Sequence, residues 1–376
     1  MTETTSPLFA PLQLASVSIP NRIAIAPTTR QVAEEDGTPT GEMGRYWARR
    51  VQGGCGLVIT EGVYFADRWN AKGYPHQSGI CNRKHIDAWR TITDMIHAEG
   101  GIALMQLQHA GRLADPLYLQ DGNPAYSASD TQSQGYVIFT DSEEEKELRG
   151  WADPLRFRRY EPARALSLLE IEDLADSFAR AAARAIEAGF DGVEVHGANG
   201  FLIDNFFNSA VNVREDAFGG CPMKRANFAL LVCRRVRQAI GAEKIITLRL
   251  SQDRIDGLHD HYAGGVAEAR EIATALKDAP VDALHWGSFG WDDNRDPTSD
   301  EIIPAVMRAE SGKPMIVNGG VHDAAAALRV LESGAGDMVS VGRPLFANPD
   351  WANAVRDGKP PAPVEFDRKW VITPAI

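Results

Sequence analysis

His196 and Asn199 stand three residues apart in HGANG, directly after the apolar run DGVEV. An imidazole and a carboxamide in a tight, glycine-flanked turn can converge on one ligand oxygen. Two donors aimed at a carbonyl that becomes an enolate are oxyanion-hole chemistry, worth roughly 3 kcal/mol for each donor. A lone histidine is more often a core or surface residue, so the weight here comes from the paired carboxamide. Arg249 lies inside the apolar run ITLRL, where an uncompensated charge is costly. An anionic ligand or a carboxylate partner must therefore be near it. Gly319–Gly320 and Gly342–Arg343 each close a further apolar run. Backbone N–H groups joined by a guanidinium make a phosphate site. Glycines that merely end strands would explain either pair alone, whereas the two together favour phosphate.

These positions need a frame that brings them to one rim. Eight short β-rich runs recur along the chain: Arg22–Thr29, Leu57–Val63, Ile102–Gln108, Asp191–Gly197, Ile245–Ser251, Asp282–Gly287, Pro314–Gly319 and Asp337–Arg343. Each is short, apolar and bounded by Gly, Pro or Asp, as buried parallel strands are. Helical periodicity fills the gaps. Leu174, Phe178, Ala181, Ala185 and Ile186 share one face, with Ser167 and Glu170 in capping-box spacing and Gly189 as the stop. Ile86, Trp89, Ile92 and Ile96 repeat the pattern, and further stretches lie at Arg225–Ile240, Ala267–Leu276 and Ala324–Leu331. This alternation predicts an α/β fold, a (β/α)8 TIM barrel. A doubly wound sheet is the alternative, but its glycine-rich loop after the first strand is missing from APTTR.

In such a barrel the strand C-termini face the pocket. Thr28, Thr29 and Arg30 end the first strand, Glu61 and Gly62 the second, and Gln106 and Gln108 the third. The segment 109–168 leaves the third strand and interrupts the beat with aromatics, Pro-led turns and the charge run DSEEEKELR, read as a solvated loop. It is expected to cap the mouth, within one domain spanning 1–376. No His/Asp/Glu set shares a metal-ligand spacing, and no GxSxG elbow occurs.

Composition narrows the partners. There are 39 Lys+Arg against 51 Asp+Glu, a formal net charge of −12 over 376 residues. That balance argues against nucleic acid, whose binders present a clustered basic face. No apolar run approaches ~20 residues, so no membrane span is expected. The N-terminus lacks a secretory pattern, and the four scattered cysteines form no CxxC pair, which fits a reducing cytoplasm.

The chain resembles the old yellow enzyme family of FMN-dependent ene-reductases along nearly its whole length. The likeness is carried in order by PLFAPLQLASVSIPNRIAIAPTTR, LVITEG, LMQLQHAGR, EVHGANGFLIDNFF with VREDAFGG, LRLS, and SVGRPLFANPDW. It implies bound FMN, NAD(P)H as hydride donor, and ping-pong reduction of an α,β-unsaturated carbonyl or related electron-poor alkene. Thr29 would meet the flavin C4 carbonyl and count with His196 and Asn199 as catalytic. Pro27, Thr28 and Gly62 would add contacts, Gln106 would meet the pyrimidine edge, and Arg249 would stabilise charge at N1–C2=O. Gly319, Gly320, Gly342 and Arg343 would bind the phosphate. Tyr74, Phe289, Trp291 and Trp370 would line the substrate pocket, and a homodimer is implied. An iron–sulfur branch of the family needs clustered cysteines that this chain lacks.

Phe201 departs from the pattern, because the family usually has a proton-donating tyrosine there. Three readings follow: another acid or water (Tyr64, Tyr126 and Tyr136 are candidates), a dehydrogenase or isomerase, or a nitro- or nitrate-ester reductase. A flavin-binding barrel without turnover is the reading of a different class, and the His196–Asn199 pair argues against it.

Overall fold

The apolar runs become strands and helices in a computed structural model of the chain, which describes residues 6–66, 69, 71–119, 124–134, 159–255, 262–293, 296 and 298–359. The strands are β1 Leu12–Leu14, β2 Val17–Ile19, β3 Ile23–Ile25, β4 Leu57–Tyr64, β5 Ile102–Gln108, β6 Ala125–Ser127, β7 Ala163–Ala165, β8 Gly192–His196, β9 Ile245–Ser251, β10 Ala283–Gly287, β11 Met315–Asn318 and β12 Met338–Val341. The helices are α1 Gly41–Gln52, α2 Arg83–Ala98, α3 Leu168–Glu187, α4 Leu202–Phe207, α5 Pro222–Arg225, α6 Asn227–Ile240, α7 Gly265–Leu276, α8 Ile303–Ser311, α9 Ala324–Glu332, α10 Arg343–Ala347 and α11 Trp351–Arg356.

Eight strands close a parallel barrel in the order β3-β4-β5-β8-β9-β10-β11-β12. The ring shuts where β12 pairs with β3, Val339 opposite Ile23 and Val341 opposite Ile25. These are the eight runs that the sequence marks, and the (β/α)8 expectation holds. Along each strand alternate side chains face out or in. Outward residues such as Ile25, Val58, Met105, Val193 and Leu248 join the helices in one large core. Helix α3 carries the expected capping box: Ser167 Oγ accepts from the Glu170 N–H, and the Glu170 carboxylate accepts from the Ser167 N–H. Such a cap stabilises a helix by about 1 kcal/mol. The helix then buries Leu174, Phe178, Ala181 and Ala185 and packs on α6.

Inward residues form layers. Ala24, Leu57, Ile59, Leu104, Ile245, Ala283, Ile316 and Met338 make an apolar floor at the strand starts. The antiparallel β1–β2 hairpin presses Leu14 and Ile19 onto it, closing that end to water. The opposite end stays polar and open to the loops, as barrel active sites require.

Between β5 and α3 the described residues form the 3-10 turns Gly111–Leu113 and Pro116–Tyr118 and the parallel pair β6–β7. Arg214 fastens this segment by donating to the Ala128 carbonyl at 2.9 Å and the Leu166 carbonyl at 2.6 Å. The DSEEEKELR run, Tyr136 and Trp370 lie outside the described residues. Among those described, no helix is long and apolar enough to cross a membrane.

Candidate active site

Directly above the apolar floor, inward positions become polar: Gln106, Glu194, Thr247, His285, Asn318 and Ser340. Glu194 is the hub. Its Oε1 accepts from Gln106 Nε2 at 2.8 Å, and its Oε2 accepts from Thr247 Oγ1 at 2.9 Å and His285 Nδ1 at 2.7 Å. His285 Nε2 sits 2.8 Å from Ser340 Oγ. A neutral imidazole satisfies both contacts, giving Nδ1–H to the carboxylate and accepting the serine proton at Nε2. Burial opposes ionisation of Glu194, yet His285, Arg249 and the Gln106 amide hold its carboxyl down to about 2.

One step further up, Gln108, His196, Arg249 and Gly287 ring the mouth. The side chain of Arg249 donates from Nη2 to Asn318 Oδ1 at 3.2 Å, while its buried Nε finds no partner. Burial lowers its pKa and Glu194 pulls it back up. The carboxylate expected near Arg249 is therefore Glu194, one layer below. Gly287 keeps space beside the guanidinium, since a Cβ there would stand 3.0 Å from Nη2. His196 is buried with its Nδ1 unpartnered, and burial followed by the Arg249 charge lowers its pKa to about 3. It is neutral across the physiological range.

Asn199 sits at φ +62°, the left-handed region that asparagine tolerates better than most residues. The neighbouring loop holds it there. Its N–H donates to Ser251 Oγ at 2.7 Å, Ser251 Oγ donates to the Asp253 carbonyl at 2.7 Å, and the Ile255 N–H returns to the Asn199 carbonyl at 3.3 Å. The next peptide is pinned by Asp204, whose Oδ2 accepts from the Gly200 N–H at 2.8 Å. Phe201 places its ring 5.0 Å from that of His196.

Across the mouth, Thr29 Oγ1 lies 3.3 Å from the buried Tyr74 hydroxyl, which in turn lies 3.5 Å from the Gly62 carbonyl. A β-bulge between Ile59 and Gly62 brings Gly62 opposite Gln106. A Cβ there would fall 1.7 Å from Gln108 Oε1, so any side chain at this position would push the Gln108 amide out of its present place. Pro27 and Thr28 are half-buried on the same loop. The strand-end glycines meet at one side. Gly319 takes φ +115° against the Ser288 carbonyl, and Gly320 takes φ +67°. Nothing approaches the Cβ positions of Gly320 or Gly342 closer than 3.6 Å and 3.8 Å respectively. Thr28 Oγ1 stands 3.9 Å from the latter, and Arg343 is exposed beside it. Trp291 is buried against Gly320, whereas Phe289 is 68 % exposed. Of the tyrosines considered for proton donation, Tyr64 donates to the Asp36 carbonyl at 3.0 Å, and Tyr126 packs on Trp69 at 5.0 Å. Both are engaged elsewhere.

Sequence reasoning missed the Glu194 hub, although EVH places Glu194 two residues before His196 and hence on the same strand face. His285, Ser340 and Ser251 gave no local signal, because their roles exist only between strands.

The donors suit a ligand that carries hydrogen-bond acceptors along one edge and an anionic group. A buried guanidinium and amides face the mouth with unpartnered atoms, at Arg249 Nε and Gln108 Nε2, and glycine backbone is exposed at the neighbouring strand ends. Residues 7–361 match the NADH:flavin oxidoreductase / NADH oxidase family. The 12-oxophytodienoate reductase 7 of rice (Oryza sativa subsp. japonica) is 32 % identical over 364 residues, covering 93 % of this chain and 88 % of that protein. Morphinone reductase bound to tetrahydroNAD superposes with a TM-score of 0.81 at 31 % identity, covering 97 % of this chain and 94 % of that one. An old yellow enzyme homologue from Zymomonas mobilis gives 0.80 at 29 % identity, covering 97 % and 96 %.

Proposed function

The chain belongs to the NADH:flavin oxidoreductase / NADH oxidase family, that of the old yellow enzymes, and is an FMN-dependent oxidoreductase supplied with hydride by NAD(P)H; from that premise we propose that it reduces the activated C=C bond of α,β-unsaturated carbonyl compounds. The observation carrying this reading is the pairing of neutral, buried His196 with the clamped Asn199 at the mouth. FMN, held by the residues below, would supply the redox chemistry that carries hydride from the nicotinamide to the alkene, which we read as a ping-pong sequence.

The protein's own part is to hold and polarise. Thr29, with Pro27, Thr28 and Gly62, would hold one edge of the ring. Gln106, fixed in orientation by Glu194, would meet the pyrimidine edge, and Arg249 would neutralise negative charge there. Gly319, Gly320, Gly342 and Arg343 would grip the phosphate. His196 and Asn199 would donate to the substrate carbonyl, drawing electron density off the β-carbon and stabilising the enolate oxygen. Tyr74, Trp291 and Phe289 would shape the pocket under the segment 109–168, which we read as a cap on a single barrel. The acidic balance of the sequence, 51 Asp+Glu against 39 Lys+Arg, and its scattered cysteines support reading it as a cytoplasmic enzyme of small molecules.

The apolar ring of Phe201 beside His196 favours a second reading, a dehydrogenase, an isomerase or a nitro-compound reductase on the same frame. Turnover with NADH or NADPH and 2-cyclohexenone, with products identified by mass, separates them. Cyclohexanone as the product supports the enone reading. Cofactor oxidation with nitroaromatics or nitrate esters alone would replace it.

A further inference from the structure

Two unlike charges are stacked in the barrel mouth, and their spacing follows from strand register. On β8 and β9, Glu194 lies opposite Thr247 and His196 lies opposite Arg249. Residues two apart on a strand share a face and stand about 6.6 Å from one another. The guanidinium therefore sits one layer above the carboxylate, with Glu194 wholly buried and Arg249 6 % exposed. The other residues named in these two layers are uncharged. They are amides, hydroxyls, Gly287 and the imidazoles of His196 and His285, which burial keeps neutral.

The two charges face each other through space, each with its own hydrogen-bond partners. Glu194 gives its oxygens to Gln106, Thr247 and His285, while Arg249 turns Nη2 to Asn318 Oδ1. His285 supports the anion without cancelling it: as a neutral imidazole it donates Nδ1–H to Glu194 and accepts at Nε2 from Ser340 Oγ, 2.8 Å away. A carboxylate served by three donors stays ionised, so its charge is a fixed part of the site. An ion held this deep is a poor way to stabilise a fold, which points to a use in the layer above. A ring that accepts a hydride gains one negative charge. By the placement of Arg249 proposed above, on which this inference rests, that charge grows beside the guanidinium. Arg249 favours it and Glu194 opposes it.

We propose that Glu194 is a positioning residue that sets the reduction potential of the flavin, its carboxylate offsetting Arg249 so that the reduced ring stays a strong hydride donor. It reaches neither the substrate nor the reacting atoms; it acts through Arg249 and through the Gln106 amide that it orients.

The test equilibrates the FMN-loaded enzyme with a reference dye of known potential under anaerobic reducing conditions and reads both spectra. Glu194→Gln removes the charge at almost constant volume. It should move the equilibrium about tenfold toward reduced flavin, ~30 mV upward for a two-electron couple. Thr247→Val deletes one hydrogen bond to Glu194 and keeps the charge, so its equilibrium should stay within about twofold of wild type. Asn318→Asp sets a carboxylate against Arg249 Nη2 from the other side and should lower the potential, which carries the test if E194Q is purified without FMN. An unchanged or lower potential in E194Q overturns the proposal, as does a T247V shift equal to that of E194Q. Where E194Q holds no FMN, an N318D potential at or above wild type does the same. Arg249→Gln separates this failure from that of the placement. It should lower the potential or release FMN, whereas bound FMN at the wild-type potential would overturn the position of Arg249 against the ring.

Discussion

The chemistry of His196 is set by its burial. With its pKa lowered to about 3, it stays neutral and acts as a donor of fixed charge state. Removing either clamp donor should cost roughly 3 kcal/mol of transition-state stabilisation, about 100-fold in kcat/KM for enone. We expect this of both His196→Ala and Asn199→Ala, with the rate of flavin reduction by NADH changing far less. The same burial predicts no inflection from His196 between pH 5 and 9 in the enone kinetics; a histidine-like break near pH 6.5 would contradict its neutral state. At this scale HGANG and ITLRL were legible, because an amide beside an imidazole and a charge in an apolar run are local oddities. The Glu194–His285–Ser340 chain was not, since its contacts run across three strands.

At the scale of elements, the loops after β8 and β9 act as one piece. Ser251 holds the Asn199 backbone at positive φ, and Asp253 Oδ2 accepts from the Phe289 N–H at 2.6 Å, linking the β10 loop as well. Ser251→Ala should therefore raise the KM for enone several-fold, with a stability loss of only about 1–2 kcal/mol, the cost of a buried N–H left unmet. Unchanged KM with the same loss of stability would show that Ser251 serves the fold alone. The eight barrel strands could be read because buried parallel strands are continuous apolar runs between turn residues. Their ends were overestimated where the last residues, such as Pro27–Thr29, leave the ladder for the site. The β1–β2 hairpin escaped notice, because three-residue strands carry no period and its value lies in plugging the floor.

For the molecule as a whole, acid is the weak direction. Burial keeps His109 and His196 neutral down to about 3, while unfolded imidazoles protonate near 6.5. The unfolded chain binds more protons between those values, so stability must fall as pH drops through that window. Each such histidine steepens the decline by up to about 1.4 kcal/mol per pH unit. Glu170, held by Arg164 to about 2, adds to the same trend as pH falls below the usual carboxylate range. Urea unfolding at pH 7 and pH 5 should show a clear loss at the lower value, and equal midpoints would contradict this. None of this could be read from a net charge of −12, which describes the surface and says nothing of which imidazoles are buried.

The central claim is that this barrel passes hydride from nicotinamide to an activated alkene, and a single anaerobic turnover tests it most directly. The flavin band near about 460 nm is bleached with one equivalent of NADH, excess is removed, and 2-cyclohexenone is added. The account predicts return of the band with one cyclohexanone formed per flavin. A band that stays bleached, or that returns without saturated ketone, would contradict it.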